Sequence, residues 1–500
     1  VEYSEIRPGR HEANPTIGHF PAHAGIRIEF YKDVSMAFAA RVPGSFRDPS
    51  GFVFSRQGIV HRQIAPSYAP QYERLISSGL YDELVSDELL LPHQELDVRL
   101  AFSEEAYKVL RPAQLPFISY PFEWSFSQLK DAALTTLRIQ RAALKRGMTL
   151  KDASAYNIQL FDARPALIDT LSFEFYEAGS PWVAYRQFCQ HFLAPLALMS
   201  RTDVRLGQLF RTYIDGVPLD LASRLLPYRT RFGLGLGLHV HAHAKAQQVY
   251  SNHSSSDKAR PSRGMSFKAL QSLVTHLEQT ILGLNAPTQQ TEWADYYDAN
   301  NNYGKDGLDA KERVVQSILA DRPPNTVWDL GANDGRFSRL ARGAGASSVV
   351  AWDIDPNCVD ASYRQVIAHR EQGHFPLLLD LTNPSPAMGW AHRERLSLAE
   401  RGPVDVVLAL GLIHHLAISN NVPLSQVAAY FRTLTRRLVI EWVPKEDSQV
   451  RKLLATRPDI FPDYVQSKFE ADFANQFHIL QKVSVEGTCR TLYLMESQPS

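Results

Sequence analysis

Between residues 326 and 356 the chain reads TVWDLGANDGRFSRLARGAGASSVVAWDIDP. An apolar run stops at Asp329, a glycine-bearing turn follows, then an amphipathic stretch, then a second apolar run that ends in acids. This is a strand–turn–helix–strand unit, the opening of a nucleotide-type α/β fold. Dinucleotides, nucleoside triphosphates and sulfonium nucleosides all use that geometry, so the turn itself has to discriminate. A dinucleotide fingerprint places glycine at the first, third and sixth positions so that backbone approaches a pyrophosphate. Here those positions hold Gly331, Asn333 and Arg336. A P-loop needs four residues between its glycines and then Lys-Ser/Thr, whereas GANDGRF has three and no lysine. Both phosphate readings fail.

A sulfonium nucleoside has no phosphate. It needs a tight turn, which Gly331 and Gly335 supply, and an acid about 20 residues on for ribose hydroxyls, where Asp353 closes the next run. Asp380, at the end of PLLLD, is placed to accept from an adenine amino group. Further apolar runs at 375–380, 404–410, 437–443, 477–484 and 489–495 continue the pattern, with helical segments between the first five strands. The last two are joined by a turn too short for a parallel crossover and predict an antiparallel hairpin. The expected architecture is α/β: a Rossmann-like, seven-stranded, doubly wound sheet with an antiparallel terminal hairpin.

These motifs give a resemblance. DLGANDG, AWDIDP and DVVLALGLIHHL resemble the first, acidic and fourth-strand motifs of class I S-adenosylmethionine-dependent methyltransferases. LVIEWVPKEDSQVRKLL and DIFPDY resemble a bacterial group of nodulation-protein-related methyltransferases. The resemblance covers residues 290–500 and implies S-adenosylmethionine as cofactor, contacted by Asp329, Gly331, Asn333, Gly335, Asp353, Asp380 and Leu410. Tyr303, in the lead-in WADYYDANNNYG, is a candidate to cover it. Ligands of open α/β sheets lie beyond the carboxyl ends of the strands. His414, His415, Glu441 and Asp447 are therefore expected to face the donor methyl, with His415 preferred to His414 as base. Either histidine could instead shape the pocket, and the two acids could be base, substrate ligand or loop acids.

The front of the chain carries a second signal. LKDASAYNIQL holds Asp152 and Asn157, and ALIDTLSF places Asp169 after the next apolar run. Kinases need an aspartate for the acceptor hydroxyl, an asparagine five positions on and a later acid for magnesium. A long helical segment, SFSQLKDAALTTLRIQRAALKRG, and a hinge-like LPFISYPFEWSF precede them. Residues from about 45 to 240 are similar to the protein-kinase-like or aminoglycoside-phosphotransferase-like fold, an α+β domain. The departures are Leu150-Lys151-Asp152 for His-Arg-Asp, Asp169-Thr170-Leu171 for Asp-Phe-Gly, and no glycine-rich loop. Arg62 stands where the phosphate-pairing lysine belongs, with Glu73 as its expected helix partner. Mg-ATP is implied if this half is a phosphotransferase; the alternative is a degenerate domain that binds substrate or regulates.

The expected division is 1–244, a linker and connecting helix at 245–289, and 290–500. In GLGLGLHVHAHAK, His239, His241 and His243 alternate, so a strand would put them on one face, but no acid or thiol lies close by and no metal is expected. Lys+Arg and Asp+Glu are equal at 53 each, which gives no electrostatic case for a nucleic-acid partner. A small-molecule or saccharide-type substrate is expected instead. Cys189, Cys358 and Cys489 are scattered, which points to a reducing cytoplasm. The opening VEYSEIRPGRHEANP lacks the apolar core of a signal peptide, and no apolar run approaches the roughly 20 residues of a membrane span. Oligomeric state has no signature in the sequence.

Overall fold

A computed structural model describes residues 39–161, 163–245, 264–286, 304–455 and 457–498. The N-terminal stretch, most of the expected linker and the lead-in with Tyr303 lie outside the described residues.

The front half opens with a five-stranded antiparallel sheet of β1 (Ala39–Arg41), β2 (Gly51–Arg56), β3 (Ile59–Ile64), β4 (His93–Leu96) and β5 (Lys108–Pro112), in the order β1-β2-β3-β5-β4. Helices Ala69–Ser77 and Leu80–Ser86 fill the connection from β3 to β4. Below it lies a mostly helical part built on helix Phe126–Lys145, whose start is fixed by a capping box between Ser125 and Gln128. Two small antiparallel pairs follow. One joins β6 (Met148–Leu150) to β9 (Phe173–Phe175), the other β7 (Ile158–Phe161) to β8 (Arg164–Leu167). A cleft separates the sheet from this lower part.

The rear half is a seven-stranded sheet of β10 (Thr326–Leu330), β11 (Ser348–Asp353), β12 (His374–Leu378), β13 (Val404–Ala409), β14 (Thr435–Trp442), β15 (Phe477–Ser484) and β16 (Thr491–Ser497). Its order is β12-β11-β10-β13-β14-β16-β15; the first five are parallel and β16 runs antiparallel to both neighbours. The expected terminal hairpin is β15–β16. The third strand ends at Leu378, so Asp380 sits in the following loop, where its carboxylate accepts from the backbone N–H and hydroxyl of Thr382 at 2.9 and 2.6 Å.

Parallel sheets are apolar on both faces, and the alternation along each strand assigns the two sets. Val327, Val349, Val406, Leu408 and Val439 pack with Leu308, Val315 and Phe337. Trp328, Val350, Trp352, Val407 and Leu438 belong to a core continuous with the front half. Phe117 meets Trp328 and Trp352 edge-on, with centroids 6.1 and 5.7 Å apart. Polar contacts fix the same junction. The Asp360 carboxylate accepts from the backbone N–H and hydroxyl of Ser127 at 2.8 and 3.1 Å, in the first turn of helix Phe126–Lys145, where an anion complements the helix dipole.

Residues 234–242 are helical, so the arrangement a strand would give the three histidines does not occur: His239 and His243 both pack on the Tyr185 ring, and His241 lies elsewhere. His239 is bonded to His276 at 2.8 Å and to the Tyr185 hydroxyl at 2.7 Å, and His241 to Ser223 and Thr230. Among the described residues no cluster of histidine, cysteine and acidic side chains could hold a metal. Nor is any described helix long and apolar enough to cross a membrane.

Candidate functional site

A crevice of about 350 Å³ opens beyond the carboxyl ends of β10, β11, β12 and β13. Its floor is the turn after β10, where Gly331, Asn333 and Gly335 have φ of 79, 53 and 87°. The N–H groups of Gly331 and Ala332 both donate to the Trp352 carbonyl at 2.8 and 2.9 Å, which pins the turn to the end of β11. A Cβ on Gly331 would meet nothing closer than Leu412 at 3.6 Å, so glycine is required there by its backbone conformation. A Cβ on Gly335 would sit 2.9 Å from the Ser362 hydroxyl and 3.0 Å from the His374 ring, so that position is closed sterically as well.

Asp353 ties the turn from the other side. Its carboxylate accepts from the N–H of Asn333 at 2.7 Å and of Asp355 at 2.9 Å. Burial pushes its pKa up to about 6 against those hydrogen bonds. Gly331, Asn333, Asp353, Asp380 and Leu410 all line the crevice. Asp329 and Gly335 do not. Asp329 is buried beneath, accepts from the Ser338 hydroxyl at 2.7 Å, and is pushed up to about 7 by burial. Gly335 stands at the N-terminus of helix Arg336–Gly343.

Of the expected chemical residues, only His415 lines the crevice. Its ring lies 4.1 Å from that of His414, which is fully buried behind it with neither ring nitrogen hydrogen-bonded. Burial, reinforced by the Arg490 charge, lowers His415 to about 4, so it is neutral at pH 7. Glu441 and Asp447 are placed otherwise than the sequence reading expects. Glu441 is wholly buried and holds Lys311 at 2.8 Å, with Arg490 3.7 Å away. Asp447 is clamped by Arg490 at 2.7 and 3.1 Å and accepts from the N–H of Gln449 at the start of helix Ser448–Ala455. Neither carboxylate faces the crevice. What they present to it is Lys311 and Gln449, both lining residues the sequence reading missed. A signal existed for Lys311: it falls at helical spacing among the buried Leu308, Val315 and Leu319, a charge set in an apolar stripe.

The front cleft, about 660 Å³, brings together Asp152, Asn157, Asp169 and Arg62. Arg62 does not reach Glu73. It forms an ion pair with Asp169, whose carboxylate also accepts from the N–H of Leu171 at 3.1 Å and the hydroxyl of Ser172 at 2.8 Å. Glu73 is exposed on helix Ala69–Ser77 and accepts from the Tyr107 hydroxyl. Asp152 accepts from the Ser154 N–H and the Gln187 amide at 2.9 and 2.8 Å, and burial raises its pKa. One rim of the cleft comes from the rear half: in the segment between β12 and β13, Glu394 takes a two-pronged contact from Arg47 at 2.7 and 2.8 Å.

No family model matches the chain. Similar solved structures include the magnesium protoporphyrin IX methyltransferase ChlM from Synechocystis PCC 6803 with bound SAH, 18% identical over 41% of this chain and 98% of that one, TM-score 0.29. The N-methyltransferase NodS from Bradyrhizobium japonicum WM9 is 10% identical over 39% and 99%, TM-score 0.29. The bifunctional kinase-methyltransferase WbdD is 15% identical over 38% and 39%, TM-score 0.26. A curated relative, the nodulation protein NoeA of Rhizobium meliloti (strain 1021), is 36% identical over 460 residues, spanning 91% of this chain and 96% of that protein. At that identity and coverage, the chain belongs to the family of the nodulation protein NoeA.

Proposed function

We propose that the rear half, residues 290–500, transfers a methyl group from S-adenosylmethionine to a small-molecule or saccharide-type acceptor. We propose further that the front half, residues 1–244, is a degenerate kinase-like domain that binds substrate or regulates, in a cytoplasmic protein. A role in nodulation is carried over from the relative's name as part of this reading. The observation that carries the proposal is the crevice itself: a glycine turn closed by Asp353, with Asp380 beside it. Among the described residues that line it, the one cation, Lys311, is paired with Glu441. Those acidic acceptors suit a sulfonium nucleoside and repel a pyrophosphate.

When bound, the cofactor supplies an activated methyl on a sulfonium. Asp353 accepts from ribose hydroxyls, and Asp380 accepts from the adenine amino group. Leu410 and Leu412 give the crevice an apolar wall against water. His415, neutral and lining the crevice, orients the acceptor and takes its proton if the acceptor is a hydroxyl. Lys311 and Gln449 hold polar groups of the acceptor.

A bifunctional kinase–methyltransferase is the second reading, favoured by the meeting of Asp152, Asn157 and Asp169 in one cleft. The Arg62 guanidinium on Asp169 works against it, because it sits where a magnesium ion would draw on that carboxylate. Titration calorimetry with S-adenosylhomocysteine tests the main proposal: binding at tens of micromolar or tighter supports it, and none at millimolar refutes it, leaving a non-catalytic relic. Tight Mg-ATP binding abolished by Asp169→Ala would favour the bifunctional reading.

A further inference from the structure

The front cleft is equipped for a ligand in a way that neither methyl transfer nor metal-bound nucleotide explains. Several of its charged lining groups are already paired: Arg62 with Asp169, Arg47 with Glu394, and Asp48 with Lys151 from outside the lining, while Arg393 is exposed to solvent. Arg395 is different. It makes no ion pair among the described residues, donates to the Glu394 carbonyl at 2.8 Å, and lies with its guanidinium carbon 4.2 Å over the Tyr156 ring. Its Nε is buried without a hydrogen-bond partner, and so is the hydroxyl of Tyr156, a residue only 7% exposed. Both residues line the cleft. Two unpaired donors buried at one corner of a roomy cavity are costly unless a ligand accepts from them, the charged one more so than the neutral one.

We propose that this corner is a second ligand site, for a sugar carrying a phosphate or carboxylate, bound without metal and coupled to the rear crevice. The oxyanion accepts from Arg395 and the Tyr156 hydroxyl, and the sugar hydroxyls donate to Asp152 and Asp215, which line the same cleft. No metal is needed, because Asp169 is fully engaged by Arg62, Leu171 and Ser172. The coupling follows from a shared wall. Trp352 lines the rear crevice and Tyr120 the front cleft. The Arg401 guanidinium lies between their rings, 5.7 Å from one and 4.7 Å from the other, in a buried ion pair with Glu123. Arg395 and Leu396 belong to the segment that leaves the rear crevice after Thr382, and the Leu396 N–H donates to the Tyr120 hydroxyl at 2.7 Å. A ligand drawing on Arg395 therefore pulls on the crevice wall.

The coupling rests on the rear crevice holding the methyl donor; the anion site does not. The test is calorimetry on the full chain in EDTA with glucose 6-phosphate, glucuronate and glucose as probes. One anionic sugar is expected to bind with Kd near or below about 1 mM, and glucose about tenfold more weakly or worse. Whichever anion binds identifies the acid group. Arg395→Gln should weaken binding about tenfold and Tyr156→Phe, which keeps the ring, about threefold. Saturating sugar should change the affinity for S-adenosylhomocysteine about fivefold or more, with the reciprocal change for the sugar. Failure of both anions to bind at about 10 mM, equal binding of glucose, a magnesium requirement, or wild-type affinity in both variants overturns the site. An unmoved S-adenosylhomocysteine affinity overturns the coupling. If that nucleoside does not bind at all, the methyltransferase reading falls while the sugar titrations still judge the cleft.

Discussion

Replacing Asp353 with asparagine separates the charge of the crevice acid from its shape. The carboxylate already serves two loop N–H groups, those of Asn333 and Asp355. An asparagine side chain has one carbonyl oxygen, so one loop donor and the ribose lose a charged acceptor. A hydrogen bond to a charged group is worth about 1.5–3 kcal/mol, so affinity for S-adenosylhomocysteine should fall roughly 10- to 150-fold. The wild-type protein carries a second, independent signature. With its free-state pKa raised to about 6, Asp353 is mostly ionised at pH 7 and about one-tenth ionised at pH 5. Ribose hydroxyls favour the ionised form, so binding lowers this pKa. Affinity is then complete above pH 6 and lost as pH falls through it, by roughly tenfold between pH 7 and pH 5. Asp353→Asn should bind weakly and almost equally at both. Calorimetry across that range reads both effects. A flat wild-type profile, or an asparagine variant with unchanged affinity, would refute the assignment of this carboxylate to the ribose.

Two further predictions concern stability. Glu441→Leu strands Lys311 in the interior and should cost about 3–5 kcal/mol, whereas the double variant with Lys311→Met should recover much of that loss, since replacing a buried pair by apolar groups is often nearly neutral; thermal melts of the four proteins give the cycle, and simple additivity would rule out the pair as a unit. Asp329 has a folded-state pKa raised to about 7, so the fold favours its protonated form; its contribution to stability declines as pH rises from about 4 to 7. Asp329→Asn removes that dependence, so the Tm of the variant relative to wild type should rise between pH 5 and pH 8, and a constant difference would contradict the raised pKa.

Much of the rear half is legible from local sequence because strand periodicity and turn chemistry are short-range. Strands 326–330 and 348–353 fall where the apolar runs put them, and Gly331 and Asp353 lie in the crevice because a tight turn and a strand end are local facts. Long-range pairing is another matter. Lys311 and Glu441 are 130 residues apart, and nothing in either neighbourhood says that each neutralises the other. The same blindness misassigned Glu73, which has the right spacing on the right helix but faces Tyr107 while Arg62 turns to Asp169. At 239–243 the alternating histidines left the local structure open, and packing against Tyr185 and His276 accompanies a helical course. The rim that the rear half lends to the front cleft could not be read at all, since loop segments carry no periodicity.

Phe117, wedged against Trp328 and Trp352, has a consequence for how such a protein can be divided. The tryptophan-bearing face of the rear sheet finds its cover in the front half, so the rear half made alone would turn that apolar face to water. The two cavities are thus tied to one another by a shared core as well as by one chain.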